Sequence, residues 1–199
     1  MKDVLFAILK TLGFLLILPL IIAFVMAFQS QVLSLSAKKE AWMLWGAGSY
    51  IALNLFVYDF KSVYDFGKTW VEKIFSFFKP AGYVLPVYAV ILTTVYVIIF
   101  LLGKAASVQP YLLFAIAFSM AMHLVLTARD IYESDGSILK AHYFVTFGAI
   151  VLVNILIMSL LFTWAFSEYS FVDFIKSLAF HTSHLYKLIY KGLFIDSSF

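Results

Sequence analysis

Five apolar runs, at about 4–28, 41–58, 83–102, 111–128 and 143–166, take up most of this 199-residue chain. They are 18 to 25 residues long, and a helix needs roughly 20 mostly apolar residues to cross the hydrocarbon of a bilayer. Lipid offers no hydrogen bonds, so backbone groups at that depth must pair within the protein, and helices do this locally. Composition points the same way. The chain is 64% hydrophobic and 13% charged, whereas soluble domains run at about half and a quarter. A water-soluble fold of this sequence would leave large apolar patches exposed. The expected class is an all-α integral membrane protein, a single polytopic domain over residues 1–199 with about five transmembrane helices plus two in-plane amphipathic helices.

The first in-plane helix is expected at about 60–79, in the stretch VYDFKSVYDFGKTWVEKIFSFFKP. At about 100° per residue, Phe60, Val63, Phe66, Trp70 and Phe77 fall on one half of a helix, with Lys61, Asp65, Lys68, Glu72 and Lys73 on the other. Too many charges for a span and a wide aromatic face mark a helix lying in the headgroup zone. Pro80 is expected to end it. The second is expected at about 171–194, with Phe174, Leu178 and Leu185 on the apolar face and Asp173, Lys176, His184 and Lys187 opposite. Each such face can grip a leaflet or dock a partner.

Polar side chains within the spans are few. Asn54, Asn154 and His123 are the candidate intramembrane contacts, as helix-to-helix hydrogen bonds or as contacts to a substrate. Gly46, Gly48 and Ala52 form a small-residue stripe suited to close helix packing. The polar segment 127–142 is expected as a hydrated loop whose charges pair among themselves.

Several chemistries find no support. The chain has no cysteine, which removes disulfides and thiolate sites. His181 and His184 have a helical ligand spacing but no carboxylate beside them, and His123 and His142 are staggered in depth, so neither a metal nor a haem is assigned. No phosphate-binding or nucleophile motif is present. A net charge of +3 with scattered basic residues gives no nucleic-acid surface.

The expected function is therefore a non-catalytic multi-pass membrane subunit that anchors, gates or stabilises a larger membrane assembly, a lipid-handling one being a natural home. The alternative is a small transporter or channel for a neutral or lipidic substrate, with Asn54 and Asn154 lining its path. No cofactor is expected. The expected partners are the lipid bilayer and a larger membrane protein or a second copy. Eight basic residues against six place the N-terminus inside a bacterial-type cytoplasmic membrane.

Overall fold

The computed structural model describes residues 2–78, 80–103, 105–135 and 141–194, with side chains described for 13, 15–78, 80–103, 108–133 and 143–192. His142 lies outside the described side chains. The chain forms α1 (Lys2–Leu33), α2 (Ala37–Phe56), α3 (Lys61–Ile74) and α4 (Ala81–Val84), then α5 (Val87–Leu101), α6 (Ala105–Asp135), α7 (Ala141–Ala165) and α8 (Phe171–Phe194). There is no strand among the described residues. Three stretches are long and apolar enough to cross a membrane: Leu15–Leu33, Val108–Glu133 and Tyr143–Ala165.

Two of the five expected runs fall short of that standard. The run at 83–102 is broken, because Pro86 disfavours helical backbone in the residue before it. Leu85 accordingly takes extended angles, φ −95° and ψ 115°. Only 15 residues of continuous helix follow. The run at 41–58 begins earlier, as α2, and takes Lys38, Lys39 and Glu40 into its first turn. Lys39 there reaches across to Glu168 beyond α7, at 2.6 Å. That ammonium holds the Glu168 carboxyl below the ordinary glutamate range.

The expected loop at 127–142 is also corrected, over its first half. Arg129 and Glu133 pair one turn apart at 2.8 Å, and Asp130 and Ile131 turn inward, so α6 keeps its period to Asp135. Residues 136–140 lie outside the described residues.

Packing builds two layers. α2 lies tightly on α6, at a crossing that only Gly46 permits. A Cβ there would sit 2.2 Å from the Phe114 carbonyl oxygen. Gly48 meets open space and Ala52 faces outward, so the expected small-residue stripe reduces to one working position. α1 runs alongside α7 in the same direction. Ile21 meets Gly148, Phe28 stacks near Phe162 at 5.9 Å, and Leu35 joins Phe166 and Tyr169 in the core.

α3 ends at Ile74, five residues before the expected limit. The chain turns at Phe75, where φ is −103° and ψ 47°, and α4 folds back so that Gly82 nestles against the Lys68 and Glu72 side chains. Around α3 the residues divide into four sectors about 90° apart, one of them the half-buried charged residues Lys61, Asp65, Lys68 and Glu72. Tyr64, Gly67 and Val71 are buried against the bundle. Val63, Phe66, Trp70 and Ile74 are exposed apolar residues, and Ser62, Thr69 and Lys73 are exposed polar ones.

α8 does not stand clear of the bundle. Phe174 packs edge-on to Phe24 with ring centroids 6.0 Å apart, and Ser177 meets Ser30 at 3.0 Å. Farther along, the Tyr186 hydroxyl donates to the Leu16 carbonyl at 2.5 Å. From Ser177 beside Ser30 to Tyr186 beside Leu16, rising numbers on α8 match falling numbers on α1. The helix lies back along α1, opposite in direction.

Candidate functional site

The break at Leu85–Pro86 creates a local debt of hydrogen bonds. Pro86 has no N–H, and the Val87 N–H turns back to the Leu85 carbonyl at 2.9 Å. The Tyr83 carbonyl therefore loses its helical donor, and the Val84 carbonyl stands beside it at the break. Side chains from two other helices take them. His123 of α6 approaches the Tyr83 oxygen through Nε2 at 3.0 Å. A carbonyl can only accept, so Nε2 carries the proton. Asn154 of α7 donates through Nδ2 to Val84 at 3.2 Å and to Ile150 in its own helix at 2.9 Å. Two of the three expected intramembrane polar residues thus converge on one short stretch of backbone.

His123 belongs to a longer polar stripe. Ser119, His123, Thr127 and Asp130 are all buried and recur at three- and four-residue steps, which puts them on one face of α6. Thr127 shares a hydrogen bond with the Tyr64 hydroxyl at 2.9 Å, and burial pushes the Tyr64 phenol up to about 12. Asp130, 8% exposed, accepts from two ammonium groups of α3. One is Lys68 at 2.8 Å and the other is Lys61. Lys68 also lies 3.8 Å from the centre of the Tyr83 ring, a cation–π contact. The seam thus clamps α3 to α6 by charge and fastens α4 to α6 and α7 by carbonyl contacts.

Gly67 completes the seat. A Cβ there would come within 2.7 Å of the Tyr88 ring, and the Tyr88 hydroxyl donates to the Val63 carbonyl at 2.6 Å. Two buried polar atoms have no partner among the described residues, the Tyr50 hydroxyl and Asn154 Oδ1.

The remaining expected residues are placed as follows. Asn54 is half-buried on α2, a helix that packs on α6 and forms no interface with α7 among the described residues, so the two asparagines do not share a wall. Phe60 packs inward against Tyr50 and Phe118. Val63, Phe66, Trp70 and Phe77 are exposed, Phe77 at 85%. Phe174 is fully buried, and Leu178 packs beside it against α1 and α7. Leu185, half-buried, continues that inward stripe. Phe174, Leu178 and Leu185 thus face their own bundle, while Ile175, Phe180, Leu188 and Ile189 of the same helix are exposed. Asp130 and the two lysines were not among the expected site residues, although the four-residue rhythm of the polar stripe announces them. No group of three or more metal-ligating side chains occurs among the described residues. No protein family, curated protein or solved structure matches the chain.

Proposed function

We propose that the protein is a non-catalytic, multi-pass membrane subunit that anchors or stabilises a larger membrane assembly. In this reading α1, α2, the α4–α5 pair, α6 and α7 cross the bilayer, and α8 enters it alongside α1. α4 and α5 together reach from Ala81 to Leu101, long enough to cross as a broken helix. α3 lies in the plane of one surface. The path along α6 from Gln109 to Asp130 is about 31 Å at 1.5 Å per residue, close to the thickness of the hydrocarbon. Asp130 is where α3 is fastened. The apolar sector of α3 then faces acyl chains and its polar sector faces water. The cytoplasmic membrane with the N-terminus inside remains the proposed location.

One observation carries the subunit reading. Where α1 crosses the bilayer, α8 shares the depth between Leu16 and Ser30. It was expected in plane, yet it turns Lys176, Ser183, His184 and Lys187 away from its own chain, interleaved with the exposed Phe180 and Leu188. Polar residues at membrane depth face protein or a water-filled cavity rather than lipid. The surface that covers them here is supplied by another protein chain, a larger membrane protein or a second copy. The seam supports the same view, since His123 and Asn154 are engaged by backbone that the fold itself exposes. A transport path lined by Asn54 and Asn154 has less support, because the two lie on separate walls.

Native mass spectrometry after gentle extraction tests this. A stoichiometric protein partner or a defined homo-oligomer is expected, and the paired change His184→Leu with Lys187→Leu is expected to weaken it. A chain that leaves the membrane alone, with no bound protein, would overturn the proposal.

A further inference from the structure

A cleft of about 490 Å³ separates α1 and α7 from α2 and α6, in the size range of small-molecule sites. Phe28, Met43, Ala47, Met120 and Met158 are among its walls, and nearly all of its lining is apolar. Its two ends differ. At one end lie Leu33 and Glu40, where α1 finishes and α2 begins. At the other lie Val25, three-quarters of the way along α1, and Ala47 and Val151, midway along α2 and α7. From Val25 to Leu33 is about 12 Å along α1, slightly less than one leaflet of a hydrocarbon core about 30 Å thick. The cleft thus starts at a membrane surface and stops near the midplane.

The polar groups sit toward the surface end. Glu40 lines the cleft at that end, and Gln29 lines it about 6 Å below Leu33. Glu40 takes part in no ion pair among the described residues, while its neighbour Lys39 is committed to Glu168. A half-buried carboxylate without a cation, over a shaft of one-leaflet depth, selects an amphiphile with a positive head and a single inserted chain. We infer that the cleft between α1, α2, α6 and α7 binds one acyl chain of a phospholipid whose ammonium headgroup rests on Glu40. The Gln29 amide can donate to the phosphate of the same lipid. This site does not depend on the subunit reading, since it is formed within one chain.

The test is native mass spectrometry of the full chain released from nanodiscs containing equal amounts of phosphatidylethanolamine and phosphatidylglycerol. One retained phosphatidylethanolamine is expected, about fivefold over phosphatidylglycerol, the size of one partly exposed ion pair. Glu40→Gln should bring that ratio near one while a lipid is still retained. Ala117→Trp, which fills the shaft, should remove the retained lipid. Leu124→Phe is the milder filling variant and should lower retention if Ala117→Trp does not fold. Equal retention of the two lipids by the unaltered chain would overturn the headgroup assignment. Retention unchanged by either filling variant would overturn the site itself. Neither result bears on whether a protein partner is bound.

Discussion

Asp130→Ala is expected to release α3 from the bundle. The carboxylate is buried and accepts from Lys61 and Lys68 together, so its removal leaves Lys68 without its carboxylate partner and Lys61 with only the longer contact to Asp65 at 3.9 Å. Breaking one side of a buried pair costs about 3–5 kcal/mol. The lower end applies here, because both lysine side chains keep some exposure, 28% and 16%, and can swing toward water. Hydrogen exchange reads this directly. The opening free energy of residues 61–74 should fall by about 3 kcal/mol, while α6 and α7 stay protected. Lys61→Ala should cost much less, since Lys68 still neutralises the carboxylate. Equal effects of the two changes would mean that Asp130 is not the clamp.

Gly46→Val is expected to be the most damaging single change in the chain. The clash it creates is with backbone, the Phe114 carbonyl at 2.2 Å, so no side-chain rotation relieves it. α2 and α6 must move apart along their whole contact, which also opens the Tyr50–Phe60–Phe118 ring cluster beside it. Overpacking a well-filled site typically costs 1–3 kcal/mol and more where backbone must shift. Gly48→Ala supplies the control. Nothing lies within 4 Å of the added carbon, and alanine is the better helix former by about 1 kcal/mol. Thermal unfolding of the purified proteins in one detergent should therefore show a large loss for Gly46→Val and none for Gly48→Ala. Similar melting temperatures for both would contradict the tight α2–α6 crossing.

These two positions also show how far the sequence can be read. The helical class follows from run length and solvent alone, and three of the apolar runs form helices long enough to cross. Periodicity on α3 separated aromatic from charged residues correctly, yet it could not say that the buried seam lies between those halves, with Lys61 and Lys68 turned partly inward. That placement depends on Asp130, an acid 62 residues or more away along the chain. Pro86 is the signal of the break in the run at 83–102. A proline inside an apolar run both breaks the helix and requires donors for the freed carbonyls, which is why His123 and Asn154 sit where they do. The direction of α8 was not legible at all. Amphipathicity tells which face is buried and says nothing of whether the surface it meets is lipid or another helix, and here Phe174 meets Phe24.

In the proposed arrangement α8 turns Lys176, Ser183, His184 and Lys187 toward another protein at membrane depth, while the exposed face of α3 meets lipid. Photo-crosslinking in intact membranes separates the two, with benzoylphenylalanine placed in turn at Ser183 and at Phe66, both exposed. A discrete protein adduct is expected from position 183 and lipid adducts from position 66. Lipid adducts alone from position 183 would contradict that arrangement.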